Sequence, residues 1–285
     1  MADKEILLQV RDLKVWFPVK KGVFGRTVGH VKAVDGVSFD LMRGETLGVV
    51  GESGCGKSTT SRAILLLNKP TGGEILLGGR DIRSLSGAEE LAYRRRVQVV
   101  FQDPQASLNP RHTIQEILTE GMVVHGLCPE SERREKGAAL LAAAGLEEDL
   151  LDRWPHELSG GQRQRVCIAR AIALKPEILI CDEAVSALDL SIRAQVLDLL
   201  ESLKKELGLS ILFITHDLGV VQNVAGRVLV MNAGKIVESG KASEVLAHPS
   251  DPYTRALVAA SPTIEARGRF RKNDFSANTG LTNGG

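Results

Sequence analysis

The central part of the chain alternates short apolar runs with longer segments of helical periodicity. Four apolar runs end at a polar or small residue: TLGVV before Gly51, VQVVF at Gln102, ILIC before Asp182 and ILFIT before His216. Continuous runs of this length are typical of parallel strands that are buried on both faces. Helical patterns over 59–67 and 162–174 lie between these runs, and a proline follows each. The pattern therefore predicts an α/β fold with a largely parallel sheet.

The first forty residues show the two-residue period of a half-buried strand. Leu13, Val15 and Phe17 would share one face of the first strand. The segment AVDGVSFDL is predicted to pair as a second strand element, with a turn at Asp35-Gly36. The Gly- and Lys-rich residues 18–30 between them are predicted to be a loop. These elements predict an antiparallel β portion beside the parallel sheet.

Two further segments differ from the alternating pattern. Residues 103–155 contain no strand-like run, but 113–127 and 131–145 have helical periodicity, so they are predicted to form an inserted helical subdomain. This insert would belong to one domain spanning residues 5–260. Residues 261–285 lose the apolar pattern and are predicted to be a disordered C-terminal tail.

Charge and cysteine content narrow the class of protein. Lys and Arg number 36 and Asp and Glu 35, a balance that argues against nucleic acid as a partner. The basic run at 94–96 is interpreted as a solvated face. None of the cysteines forms a C-x-x-C pair, so neither a disulfide nor a metal cluster is expected and a reducing compartment is indicated. No signal peptide or membrane-length apolar run is seen, so any membrane connection would run through a partner.

Residues 51–58, GESGCGKS, fit the phosphate-binding pattern G-x-x-x-x-G-K-[ST] in full. We call them the phosphate loop. They follow a predicted strand and precede a predicted helix, which is the context the pattern requires. The glycines allow close approach of the backbone to phosphate, Lys57 would neutralise the β- and γ-phosphates, and Ser58 would bind Mg²⁺.

Polar residues at the other strand ends would complete a catalytic site, because the carboxyl ends of parallel strands meet at one edge of the sheet. Asp182 would hold Mg²⁺, directly or through water. Glu183 follows it and would polarise the attacking water. Gln102 would bridge the metal and the water, and His216 would form a hydrogen bond with the γ-phosphate.

These motifs, in this order, resemble the ATP-binding subunits of ATP-binding-cassette (ABC) transporters. The resemblance covers residues 5–260 and implies a RecA-like P-loop nucleotide-binding domain that uses ATP and Mg²⁺. Its elements are Walker A at 51–58, the Q-loop at Gln102, the signature LSGGQ at 158–162, Walker B at 178–182, the D-loop SALD at 186–189 and the switch His216.

The resemblance also implies that two subunits stack head to tail, so that the signature of one caps the ATP on the Walker A loop of the other. Ser159 and the amides of Gly160 and Gly161 would supply a second anion-binding helix terminus. Phe17 is the candidate for stacking on adenine, with Trp16 as the alternative and core packing of Phe17 as another interpretation. The nucleotide-binding residues implied are Phe17, Gly51, Ser53, Gly54, Cys55, Gly56, Lys57, Ser58, Thr59, Ser159, Gly160, Gly161, Gln162 and Asp189; the metal-binding residues are Ser58, Gln102 and Asp182.

Three segments narrow the resemblance further to the oligopeptide and dipeptide importers: WFPVKKGVFG, VFQDPQASLNPR and HPSDPYTRALVAASP. That subfamily implies a second ATP-binding subunit, two transmembrane permease subunits, an extracytoplasmic substrate-binding protein that acts indirectly, and a peripheral location at the cytoplasmic face of the inner membrane. The group also includes importers of nickel, glutathione and oligosaccharides. Two departures are Ala184, where the family usually has Pro, and the lack of any cysteine after Cys181, so no iron–sulfur cluster is expected.

Two interpretations from other classes stay open at this point. A soluble ABC ATPase could act on nucleic acid or ribosomes, but the insert is too short for the coiled coil of the DNA-type members, and ribosome-type members usually carry two cassettes. A non-catalytic regulatory subunit in a mixed dimer is the other alternative. The presence of Glu183 and His216 argues against it.

Overall fold

The computed structural model describes residues 5–21 and 26–261. Its strands are β1 (Ile6–Lys21), β2 (Arg26–Met42), β3 (Thr46–Val50), β4 (Gly72–Leu77), β5 (Arg80–Asp81), β6 (Val97–Val100), β7 (Ile178–Asp182), β8 (Ser210–Ile214), β9 (Arg227–Asn232) and β10 (Lys235–Lys241). Its α-helices are α1 (Lys57–Ile64), α2 (Ala88–Arg96), α3 (Pro104–Ser107), α4 (Ile114–Val124), α5 (Arg133–Ala143), α6 (Gly160–Ile172), α7 (Leu190–Leu207), α8 (Leu218–Val224), α9 (Ala242–Ala247) and α10 (Pro252–Ala259). The predicted tail, from residue 262 onward, lies outside the described residues.

The larger sheet has the strand order β10-β9-β3-β8-β7-β6. All neighbours from β9 to β6 are parallel, and only β10 is antiparallel to β9. Strand β7 shows why its sequence is a continuous apolar run. Ile178 and Ile180 join the core on one face, while Leu179 and Cys181 join the core on the other. The predicted α/β fold with a largely parallel sheet is confirmed.

The smaller sheet has the order β2-β1-β4-β5 and is antiparallel throughout, which confirms the predicted antiparallel portion. The predicted turn at Asp35-Gly36 is wrong, because both residues lie inside β2. There the pairing with β1 slips between Leu13↔Val37 and Lys14↔Asp35. Gly36 has φ 86°, so its conformational freedom forms a β-bulge within the strand and not a chain reversal.

The loop predicted for residues 18–30 is also wrong at both of its ends. Pairing of β1 with β2 continues through Pro18↔His30 and Val19↔Gly29 to Lys21↔Arg26. These hairpin arms are exposed on both faces, so they lack the alternation of burial that identifies a half-buried strand. Backbone hydrogen bonds within the hairpin hold them together, and composition alone gives no sign of this.

Residues 103–155 contain helices α3, α4 and α5 with short 3₁₀ turns, and no strand. Helix α4 begins with a capping box in which the Thr113 side chain accepts from the Glu116 amide and Glu116 accepts from the Thr113 amide. Buried residues of α4 and α5 belong to the same apolar core as α6 and β7. That this segment forms a separate subdomain stays a prediction. Among the described residues, no helix is both long enough and apolar enough to cross a membrane.

Candidate functional site

The phosphate loop connects the end of β3 to the start of α1, and its backbone is shaped by glycine. Gly51 has φ 151° and Gly56 has φ 109°. A Cβ at Gly51 would lie 2.2 Å from the carbonyl oxygen of Met231, and one at Gly56 would lie 2.3 Å from the carbonyl oxygen of Ala33. Only glycine fits at these two positions. The loop therefore holds the amides at the start of α1 in a geometry suited to an anion.

Lys57 folds back into the phosphate loop. Its side chain is almost fully buried, at 4% exposure. Its ammonium donates to the carbonyl oxygens of Gly51 at 2.7 Å and Glu52 at 2.8 Å. No acidic side chain lies in the first turn of α1. The loop thus carries a positive charge that backbone dipoles solvate, in a place where a phosphate can replace those carbonyl groups.

Ser58 and Asp182 meet beside the loop. The Ser58 hydroxyl donates to one carboxylate oxygen of Asp182 at 3.0 Å, and Ser61 donates to the other at 3.1 Å. Burial raises the pKa of Asp182 above its ordinary value, and these hydrogen bonds partly oppose that shift. A hydroxyl and a carboxylate are hard oxygen ligands of the type that Mg²⁺ prefers.

The wider ligand set also fits Mg²⁺. Gln102 is exposed just after β6 and lines one cleft with Ser58 and Asp182. The basic side chains of Arg62 and Arg170 line the same cleft. In the part of the chain that the structure describes, no cluster of three or more His, Cys, Asp or Glu could hold a metal. One carboxylate with few other protein ligands suits Mg²⁺, which keeps several waters and binds substrate phosphates.

Glu183 adopts a left-handed backbone conformation, with φ 53°. Such a conformation is costly for a residue with a side chain, by about 1 kcal/mol or more, and is often found at functional sites. The Glu183 amide donates to Ile214 at 2.9 Å, and its carbonyl accepts from the amide and hydroxyl of Ser186. The next residue, Ala184, is buried.

His216 lies directly across from Glu183. Its Nδ1 is 3.5 Å from a carboxylate oxygen of Glu183. The Glu183 side chain is mostly buried, whereas that of His216 is 57% exposed. A shielded carboxylate beside an accessible imidazole can accept a proton from water while the imidazole contacts a phosphate oxygen.

The signature residues lie at the start of α6. Ser159 accepts from the Gln162 amide at 3.2 Å, and Gln162 accepts from the Ser159 amide at 2.9 Å. This capping box leaves the amides of Gly160, which is exposed, and of Gly161, which is half-buried, without side-chain acceptors among the described residues. Within residues 5–21 and 26–261, no hydrogen bond or ion pair joins residues 158–162 to the phosphate loop. The structure therefore does not bring the two loops of one chain together.

Asp189 forms the N-cap of α7, where it accepts from the Ile192 amide at 3.0 Å and the Ser191 hydroxyl at 2.9 Å. These hydrogen bonds hold the pKa of Asp189 below its ordinary value. Ile192 in turn packs so closely on α6 that a Cβ at Gly161 would lie 2.8 Å from its methyl group. Helix α7, which follows the D-loop, therefore packs on the signature segment within one chain.

The two aromatic candidates for adenine differ in their partners. The Trp16 indole donates to Asp35 at 3.1 Å, and the ammonium of Lys32 lies 4.4 Å from its ring centre. Phe17 is 43% exposed and pairs across the hairpin with Val31, which is also exposed. An exposed, uncommitted ring is the better stacking surface, which favours Phe17 over Trp16 and over core packing.

The remaining predicted loop residues differ in exposure. Ser53 and Gly54 are exposed, and Thr59 is half-buried in α1. Cys55 is buried, its amide donates to Glu52 at 3.3 Å, and its carbonyl accepts from Gly234 at 2.9 Å.

Sequence reasoning missed two contacts at this site. The hydroxyl of Ser61 shares Asp182 with Ser58, and the phenol oxygen of Tyr253 accepts from the Glu52 amide at 3.0 Å. Ser61 lies one helical turn after Ser58, so helical spacing could have indicated it. No local signal links Tyr253 to a loop that precedes it by 201 positions.

Comparisons with known proteins agree with this geometry. A family model described as ABC transporter matches residues 34–186. The chain is 51% identical over 273 residues to the oligopeptide transport ATP-binding protein AppF of Bacillus subtilis (strain 168), covering 95% of this chain and 83% of that protein. It is 50% identical over 265 residues to the glutathione import ATP-binding protein GsiA of Escherichia coli (strain K12), covering 93% of this chain and 42% of that protein. The chain thus spans less than half the length of GsiA.

Solved structures give the same result. The chain superposes on cbiO1 of Clostridium perfringens with a TM-score of 0.72 and 31% identity, over 86% of this chain and 92% of that one. It superposes on the dimeric, post-hydrolysis ATP-binding cassette MJ0796 bound to ADP and Pi with a TM-score of 0.73 and 30% identity, over 83% of this chain and 99% of that one. The predicted RecA-like fold is confirmed. The chain belongs to the ABC transporter family, as one of its ATP-binding and ATP-hydrolysing subunits.

Proposed function

We propose that the chain powers a membrane importer of peptides by ATP-driven, head-to-tail closure of two ATP-binding subunits. The observation that carries this proposal is the 51% identity to an oligopeptide transport ATP-binding protein over 95% of the chain. The partners would be a second ATP-binding subunit, identical or homologous, two transmembrane permease subunits and, indirectly, an extracytoplasmic substrate-binding protein. The chain would lie peripherally at the cytoplasmic face of the inner membrane.

The site residues have separate roles in this proposal. The phosphate-loop amides and Lys57 bind the phosphates, and Ser58, Asp182 and Gln102 hold Mg²⁺. The bound Mg²⁺ supplies positive charge that neutralises the phosphate oxygens. Glu183 orients the attacking water and accepts its proton, while His216 donates a hydrogen bond to a phosphate oxygen.

The exposed start of α6 supports a composite site built from two chains. Among the described residues, the amides of Gly160 and Gly161 form no hydrogen bond with the phosphate loop of their own chain, and they lie at a helix terminus suited to an anion. ATP would then bind between subunits and stabilise the closed state. Hydrolysis removes this preference and allows the subunits to separate.

Mixing two inactive variants tests this arrangement. A Cβ at Gly160 would meet no atom within 4 Å, so Gly160→Asp should fold normally, while its charge repels a partner's phosphates. Gly160→Asp and Lys57→Ala should each lack ATP turnover. An equimolar mixture should regain about a quarter of wild-type turnover, because half of the dimers are mixed and each of these has one intact site. If native mass spectrometry shows mixed dimers but ATP turnover does not recover, the phosphate loop and the signature of the same chain must act in one site.

The transported substrate requires the assembled importer. Glutathione import is the second candidate, because the identity to GsiA is 50%. The complex would be extracted from native membranes, identified by intact mass, and reconstituted in vesicles with its binding protein. We expect oligopeptides to stimulate ATP turnover more than glutathione, nickel ions or an oligosaccharide do. Recovery of the chain with ribosomes or nucleic acid, and without membrane subunits, would contradict the transport proposal.

A further inference from the structure

A residue near the end of the described chain contacts the phosphate loop. Tyr253 lies in α10, and its phenol oxygen accepts a hydrogen bond from the backbone amide of Glu52 at 3.0 Å. Glu52 is the second residue of the phosphate loop. This contact therefore joins α10 directly to the backbone that precedes the phosphate-binding amides.

The same peptide group is held from its other side by Lys57. The peptide between Gly51 and Glu52 presents its N–H to Tyr253 and its carbonyl oxygen to the Lys57 ammonium, at 2.7 Å. Lys57 is the residue that must turn towards a phosphate when nucleotide binds. Tyr253 can stay in place during that change, so it can keep the orientation of this peptide when Lys57 releases it.

Hydrogen bonds hold the start of α10, and with it Tyr253, in place. One carboxylate oxygen of Glu238, in β10, accepts from the amide and the hydroxyl of Ser250, and the other accepts from the Asp251 amide at 3.1 Å. Burial acts to raise the pKa of Glu238, but hydrogen bonds, led by the one from the Ser250 amide, lower it to about 2, so the carboxylate stays ionised under working conditions. Asp251 then caps α10 by accepting from the Tyr253 amide at 2.8 Å.

Packing connects the same helix to the strand before the loop. Tyr253 and Leu257 pack against a buried apolar cluster that includes Val50, the last residue of β3. Strand β9 pairs with both β3 and β10, so Glu238 and Val50 belong to one rigid sheet. The phenol is thus fixed to the same framework as the loop it contacts.

We infer that Tyr253 is a positioning residue that preorganises the phosphate loop for nucleotide, with Glu238 holding Tyr253 in place. This inference rests on the proposed role of the phosphate loop in binding the phosphates of ATP. Its consequence is that α10 contributes to nucleotide affinity without touching the nucleotide.

Tyr253→Phe in the full chain tests this inference, because it removes only the hydroxyl. The Kd for a fluorescent ADP analogue and the KM for ATP should rise about 3- to 10-fold, the effect of one neutral hydrogen bond, while kcat stays near wild type. The Tm should fall by about 2 °C or less, because the Glu52 amide is exposed and water can replace the phenol.

Tyr93→Phe is the matched control. The buried Tyr93 hydroxyl donates to the carbonyl oxygen of Ile64, at the far end of α1 from the loop. This variant should lower the Tm by about 3 °C or more and leave the Kd within about twofold of wild type. Unchanged Kd in Tyr253→Phe, or a change accompanied by a Tm loss as large as in the control, would overturn the inference.

Two more variants separate the inference from the proposed site. Glu238→Gln should weaken ADP binding in the same direction, and combining it with Tyr253→Phe should give less than the sum of the two effects, because both act through one contact. Full additivity would contradict the role given to Glu238. Lys57→Ala distinguishes failure of the inference from failure of the proposed function. If Lys57→Ala still binds nucleotide, the proposed function of the loop fails. If Lys57→Ala loses nucleotide binding while Tyr253→Phe binds as wild type does, only the inference about Tyr253 fails.

Discussion

Replacing Glu183 with Gln is expected to lower the ATP turnover number by about 100- to 10,000-fold, the usual contribution of a general base. Gln has the same shape, and the backbone hydrogen bond from residue 183 to Ile214 does not depend on the side chain. An amide, however, cannot accept the proton of the attacking water. ATP should still bind, so the variant should accumulate as an ATP-dependent dimer. Steady-state phosphate release and size-exclusion chromatography with MgATP measure both effects.

The control for this variant lies at the other end of β7, the strand that Glu183 directly follows. Glu177 directly precedes β7, pairs with Arg96, and accepts from Arg43 at 3.2 Å. The hydrogen bond from Arg96 holds the pKa of Glu177 below its ordinary value. Glu177→Gln should therefore lower the Tm and leave turnover intact. If the ATP turnover number of Glu183→Gln stays within about threefold of wild type, Glu183 is not the general base.

The features that the sequence predicts well are those with a local physical cause. Continuous apolar runs identified β3, β6, β7 and β8, because β3, β7 and β8 are buried on both faces and β6 buries its first and last residues. The parallel order of these strands then brings their carboxyl ends to one edge, where Asp182 meets Ser58 and Gln102 lines the same cleft. Spacing and strand order were sufficient for this part of the site.

Other features depend on contacts that leave no local pattern. The exposed hairpin arms at 18–21 and 26–30 are strands only because they pair with each other. The bulge at Gly36 resembles a turn, since both use glycine at positive φ. The left-handed backbone of Glu183 is imposed by hydrogen bonds to Ile214 and Ser186, and nothing in the sequence EAVS signals it.

Lys57→Ala is expected to reduce ATP affinity by about 100-fold or more and to abolish measurable turnover. Hydrogen bonds from a charged group contribute about 1.5–3 kcal/mol each, and an ammonium between two phosphates would make at least two. The buried ammonium already lies within the loop, where it donates to the carbonyl oxygens of Gly51 and Glu52. Isothermal titration with ATP and ADP, together with steady-state phosphate release, measures the loss.

Lys136→Ala is the matched control for this variant. The Lys136 ammonium also donates to a backbone carbonyl, that of Leu127 at 2.6 Å, and pairs with Glu132 at 2.8 Å, but it lies in the helical segment. It should leave ATP affinity unchanged. If Lys57→Ala binds and hydrolyses ATP normally, the phosphate loop does not have the phosphate-binding role proposed for it. Each variant removes one ammonium that donates to backbone carbonyl oxygen. If only Lys57→Ala loses ATP affinity, the loss is therefore due to the position of the Lys57 charge in the phosphate loop.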